Sequence, residues 1–363
     1  MKRKGIRNEK ERHMKKKSDI TPFENCPPMD GSHCQTSSLA KIFRFHGHPL
    51  SEDMILGLGA GMGFIYWKMN MESGTYVFIG GRGNTKDFFN DAGKRTGVTI
   101  NVISTSSEKK AEIALLEKLR KNEPVMLFGD MGFLPWFDMP EEYHFGGHTF
   151  VICGYDGHNT VLASDMDQKA SGLKKGFYFP ITLEQLRKAR GSPYKPFPPH
   201  NTYLEFDFIT YHDPGTDDIY DAIRQTIESQ LNPPIKNLGV KGMKHTAKEI
   251  VKWPDMFNDY DLRMNLFSIY IYIEIGGTGG GCFRYMYSRF LKEAVNITGN
   301  KKLLTAAEKL HTAGTMFTDI GLLFKEAETI KDINERIKKA CEAFTVIAGL
   351  EEDAYTELSH AIE

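Results

Sequence analysis

Three residues far apart in the chain have the types and the local settings for nucleophilic catalysis by a cysteine. Cys34 follows the loop Gly31-Ser32-His33 and stands at the first turn of an apolar-faced helical pattern. A thiol there lies at the positive end of a helix dipole, which stabilises the thiolate that attacks carbonyl carbon. His148 opens an apolar run behind Gly146-Gly147, so a strand would fix the ring while the glycines let a substrate or another backbone approach. Asp165 follows the next strand-like run and would lie beside the start of the preceding antiparallel strand. There it would accept a hydrogen bond from the imidazole and complete a Cys34, His148, Asp165 triad of nucleophile, base and orienting acid. An isolated cysteine is more often a small core hydrophobe, but the polar neighbours on both sides of Cys34 weaken that alternative.

The elements that must hold these groups follow from periodicity. From Cys34, the residues Leu39, Ile42, Phe43 and Phe45 recur at helical spacing until Gly47 and Pro49 interrupt them, and residues 51–58 form a second helix capped by Ser51. Helical patterns cover 85–96 and 107–121, and strand-like runs cover 76–79, 98–103, 125–128, 148–155 and 160–164. Asp156, Gly157 and Asn159 supply the turn that joins the last two runs. One more strand-like run, 202–211, precedes Pro214, after which helices are expected over 218–231, 239–252, 260–275, 282–294, 302–313, 314–328 and 331–360. The pattern is α+β: an antiparallel sheet with leading helices over 18–213, then a mainly α-helical domain over 214–363 that covers the site or binds the acceptor.

The 363 residues carry a formal net charge of −1, but residues 1–17 hold nine Lys/Arg against two Glu and read as a basic, disordered tail. The remainder is mildly acidic, and overall charge gives no reason to expect a nucleic-acid partner. With 40% hydrophobic and 26% charged residues the chain is not of a disordered or collagen-like class. Its apolar runs fall short of the roughly 20 residues that span a bilayer, and no apolar signal segment follows the basic start. Five scattered cysteines fit a reducing compartment, so a cytoplasmic protein without membrane association is expected.

The order Cys, His, Asp, with the cysteine on a leading helix and the other two on neighbouring strands, is the arrangement of papain-like enzymes. The stretches Ser32-His33-Cys34-Gln35-Thr36-Ser37, Phe45-His46-Gly47-His48-Pro49-Leu50-Ser51-Glu52 and Leu56 to Trp67 resemble the N-terminal domain of the butirosin biosynthesis protein H family, and Gly276 to Arg284 resembles the glycine-rich signature of the helical domain that follows it. The resemblance implies a papain-like acyltransferase in which a cysteine takes an acyl or aminoacyl group from the phosphopantetheine thioester of an acyl-carrier protein and passes it to an amine-bearing small molecule. It implies no bound cofactor, and it assigns Cys34 as nucleophile, His148 as base and Asp165 as orienting acid. More distantly, the triad resembles cysteine peptidases that cut double-glycine leaders, which leaves a peptidase or amide hydrolase as the alternative. Those peptidases carry an oxyanion glutamine about six residues before the cysteine, where this chain has Pro28. The backbone N–H of Cys34 and the side chain of Asn25 are the remaining oxyanion candidates, with Gln35, His33, Tyr66 and Trp67 as further oxyanion or substrate contacts.

Other motifs carry less. The alternating glycines from Gly57 to Gly63 lack the dinucleotide pattern and follow a helix, so they read as a tight backbone passage. Gly276 to Gly281 lacks the Gly-Lys-Ser/Thr ending of a phosphate loop, and Arg284 just beyond it is expected at the surface. Cys26, Cys34, His46 and His48 have no zinc-finger spacing, and no metal site is expected.

Overall fold

The computed structural model describes residues 20–71, 74–140, 142–167 and 172–363; the basic tail expected over 1–17 lies outside them. Up to residue 103 the chain forms helices α1 (Cys34–Phe45) and α2 (Glu52–Leu58), strands β1 (Met62–Met71) and β2 (Gly74–Arg82), helix α3 (Phe88–Lys94) and strand β3 (Thr99–Ile103). Then come α4 (Glu108–Leu119), β4 (Val125–Gly129), β5 (His148–Tyr155), β6 (Thr160–Met166), β7 (Gly176–Thr182), α5 (Leu183–Arg190) and β8 (Tyr203–Asp207). The rest is helical: α6 (Thr216–Leu231), α7 (Gly239–Ile250), the single turn α8 (Trp253–Met256), α9 (Asp259–Tyr270), α10 (Arg284–Thr298), α11 (Leu303–Phe324) and α12 (Ile333–Ile362). The fold is thus α+β, with antiparallel strand pairs and a helical C-terminal region. Among the described residues no helix is long and apolar enough to cross a membrane.

Two compact units form, and neither is a continuous segment. The first takes in the chain up to Pro28 together with 104–165 and 177–203. Here β4 and β5 pair antiparallel from Val125 opposite Ile152 to Gly129 opposite His148, and β6 adds to β5 with Val151 opposite Ser164. Leu127, Phe150, Ile152 and Ala163 bury one face of this sheet under Leu115 and Leu119 of α4 and Leu186 and Ala189 of α5. The α5 start has a reciprocal cap, Thr182 accepting from the Gln185 N–H while the Gln185 side chain accepts from the Thr182 N–H.

The second unit takes in 29–103, 166–176 and 204–363, so the boundary expected near 213 falls inside it. Its core explains why: Met54, Leu56 and Leu58 of α2 and Phe64, Tyr66, Val77 and Ile79 of the β1–β2 pair are buried in one cluster with Leu266, Phe290, Phe317 and Phe344 of the C-terminal helices. β1 forms where no strand-like run is expected from the sequence. Phe64 and Tyr66 alternate inward while Trp67 is exposed, and Tyr66 pairs with Ile79. The glycines do mark tight passages: a Cβ at Gly57 would fall 2.2 Å from the Phe290 ring, and one at Gly63 2.7 Å from the Gly83 backbone.

Two expectations in the helical region need correction. Helices expected over 302–313 and 314–328 are one helix, α11, because Gly314 is there to admit the Tyr285 ring, 2.9 Å from where its Cβ would stand, rather than to end the helix. Arg284 is not at the surface. Wholly buried, it donates from Nε and Nη2 to Glu351 at 2.7 and 3.1 Å and from Nη1 to the Gly63 carbonyl at 2.7 Å, and lies over the Phe317 ring.

Candidate functional site

Cys34 is carried by the second unit, at the first residue of α1, and is partly accessible. The loop before it is pinned on several sides. Gly31 and Lys174 exchange backbone hydrogen bonds of 2.8 and 2.7 Å, and the buried Lys174 ammonium donates to the Ile275 carbonyl. His33 is the N-cap of α1, its Nδ1 accepting from the Thr36 N–H, and its ring meets Phe283 edge-on. Glu52 accepts from the backbone N–H of Ser32 at 2.6 Å and of His33 at 3.4 Å and from the Thr36 hydroxyl at 3.2 Å. Burial pushes its carboxyl up to about 7, against the lowering effect of those hydrogen bonds.

The glycine-rich segment of the helical region adjoins this loop. After α9 the chain widens into a π turn over Ile271–Ile275, and Gly277, Gly279, Gly280 and Gly281 then all adopt positive φ. A Cβ on Gly279 would stand 3.2 Å from that of Ser32, so the close approach depends on glycine.

Arg82, at the end of β2, reaches α1. Its Nη2 donates to Gln35 Oε1 at 2.9 Å and its Nη1 to the carbonyls of Gly61 and Gly83 at 2.6 and 3.0 Å. A guanidinium only donates, so the Gln35 oxygen must face it, and the amide nitrogen is left as a donor.

His148 and Asp165 are carried by the first unit and are brought together. Asp165 follows Ser164, which lies opposite Val151, so an antiparallel register puts its side chain on the face of β5 that bears Phe150 and His148. His148 Nε2 donates to Asp165 Oδ2 at 2.7 Å, and the Trp136 indole N–H donates to the same oxygen at 2.9 Å. Both members of the pair are buried, and Phe137 meets the imidazole edge-on at 5.2 Å. With its proton on Nε2, the neutral ring has Nδ1 as its basic atom.

The other sequence candidates take varied places. Asn25 is exposed, with φ +61°. The Tyr66 ring is buried in the helical core against His245, while Trp67 is 42% exposed on the outer side of β1. His46 and His48 stack on Phe208 and Tyr211, and among the described residues no group of three or more His, Cys, Asp or Glu is arranged to hold a metal ion. Arg82, Glu52 and Trp136 escaped sequence reasoning. Glu52 alone left a trace, as an acidic residue in the first turn of a Ser51-capped helix.

The chain thus has a cysteine at a helix N-terminus in one unit and a buried His-Asp pair on adjacent antiparallel strands in the other. Residues 33–166 match the family described as butirosin biosynthesis protein H, N-terminal, and residues 184–358 match a domain of unknown function, DUF4872. The match over residues 33–166 supports a likeness of this part of the chain to the butirosin biosynthesis protein H-like family. No curated protein matches it.

Proposed function

We propose that the protein is a papain-like acyltransferase that moves an acyl or aminoacyl group from a carrier-protein thioester to an amine through a Cys34 acyl-enzyme. The observation that carries this reading is the buried His148–Asp165 hydrogen bond, since an imidazole held in one tautomer serves proton transfer and a binding module has no use for it. In the first step the Cys34 thiolate attacks the thioester carbonyl, the carbon–sulfur bond to the phosphopantetheine arm breaks, and the departing thiolate takes a proton from the His148 imidazolium. In the second, the acceptor nitrogen attacks the acyl-enzyme and gives a proton to His148, and Cys34 leaves again as thiolate. Exchange between two thioesters is nearly isoenergetic, so the acyl group stays activated for the amine. The backbone N–H of Cys34 and the Gln35 amide nitrogen, whose oxygen Arg82 holds, are the oxyanion donors this chemistry requires. The acidic body favours a cationic acceptor, so an acidic carrier needs a local basic patch or the N-terminal tail to dock.

Intact-protein mass spectrometry after incubation with acyl-carrier thioesters tests the reading. A Cys34 adduct that persists in water and is discharged by amines supports transfer. Rapid loss of the adduct to water instead identifies a hydrolase built on the same residues, and full activity in Cys34→Ala refutes the mechanism.

A further inference from the structure

The second unit brings a guanidinium, that of Arg82, to the helix end that bears Cys34. Among the described residues the hydrogen-bond acceptors of Arg82 are neutral: the Gln35 side-chain oxygen and the carbonyls of Gly61 and Gly83. Its face stacks on Phe88, 4.2 Å from the ring centre, and among the described residues it makes no ion pair with a carboxylate. A Cβ at Gly61 would lie 2.6 Å from Nη1, so that glycine is what lets the guanidinium settle there. Arg82 is half-buried, and a partly desolvated cation among neutral dipoles gains from a nearby anion.

We infer that Arg82 is the counter-ion of the Cys34 thiolate, a positioning residue that keeps the nucleophile charged before substrate binds and independently of His148. This rests on the reading of Cys34 as the nucleophile. Loss of hydration pushes the Arg82 pKa down to about 10, and the Cys34 thiolate is the group that opposes that fall. The guanidinium therefore remains charged throughout the neutral range. Its hydrogen bond to Gln35 fixes the side chain of the residue next to Cys34, so one residue sets both the charge of the nucleophile and the orientation of its neighbour.

The test is the rate of Cys34 alkylation by iodoacetamide between pH 4.5 and 9.5, read by peptide mass, in the full-length wild type, His148→Ala, Arg82→Lys and Arg82→Gln. The wild-type midpoint is expected well below the value of about 8.5 for free cysteine. It stays low in His148→Ala and nearly so in Arg82→Lys. In Arg82→Gln it rises by at least about one unit, which makes alkylation about tenfold slower at any pH below both midpoints. A wild-type midpoint near that of free cysteine overturns the inference without any variant. So does an Arg82→Gln profile that matches wild type, or an equal rise in the Lys and Gln variants. Alkylation needs no acyl donor, so a low, Arg82-dependent midpoint in a protein that transfers no acyl group sinks the proposed function and leaves this inference standing.

Discussion

His148 Nε2 and Trp136 Nε1 donate to one and the same oxygen of Asp165, at 2.7 and 2.9 Å. Two donors converging on one buried carboxylate oxygen hold the imidazole in a single tautomer and a single orientation. Asp165→Asn removes the charge and presents one amide group to both donors. Discharge of a preformed Cys34 acyl-enzyme by an amine, followed in single turnover, should slow on the order of 10²- to 10⁴-fold, the usual worth of a positioned general base. Trp136→Phe keeps the ring packing and loses one hydrogen bond to a charged acceptor, so it should cost about 1.5–3 kcal/mol in urea unfolding. An undiminished discharge rate in Asp165→Asn would remove the pair from the mechanism.

Glu52 makes the stability of the protein pH-dependent in a defined sense. Burial raises its carboxyl from the ordinary 4.5 to about 7, so between those values the native state holds a proton that the unfolded chain has lost. Stability contributed here is present at pH 4.5 and is lost as pH rises towards 7, by up to about 1.4 kcal/mol per unit, levelling off above that. Glu52→Gln has no such group. Its urea midpoint should gain on that of wild type across pH 4.5–7, and a difference constant with pH would show that Glu52 ionises normally.

Arg284 and Glu351 form an ion pair with no exposure to solvent, completed by the Tyr355 hydroxyl, which donates to Glu351 at 2.9 Å. Arg284→Met leaves a buried carboxylate without its partner and should lower the unfolding free energy by about 3–5 kcal/mol. The double variant Arg284→Met, Glu351→Leu should recover much of that loss, because the cost comes from the orphaned charge. Chemical denaturation of the three proteins decides it; a double variant as unstable as the single one would point to packing instead.

Local pattern was enough wherever neighbours in sequence are neighbours in space. The apolar spacing after Cys34 marks α1, the cap at Ser51 marks α2, and Asp156 with Gly157 joins β5 to β6. That short turn is also why the meeting of His148 and Asp165 could be anticipated, for a tight antiparallel connection dictates which residues lie across from each other. The sequence by itself thus determined the helix that begins at Cys34, the strand pair that joins imidazole to carboxylate, and most of the C-terminal helices. Only the tertiary structure decided that Arg82 would bond Gln35, 47 positions away, that Glu52 would hold the Ser32 and His33 amides, and that Arg284 would be sealed against Glu351 instead of facing water. It also decided that Gly314 would sit inside a helix and that α2, β1 and β2 would share a core with the C-terminal helices. The physical reason is the same in each case. Periodicity and caps are written in the few residues that make them, whereas burial and charge pairing depend on which distant surfaces close over a group, and no local spacing encodes that.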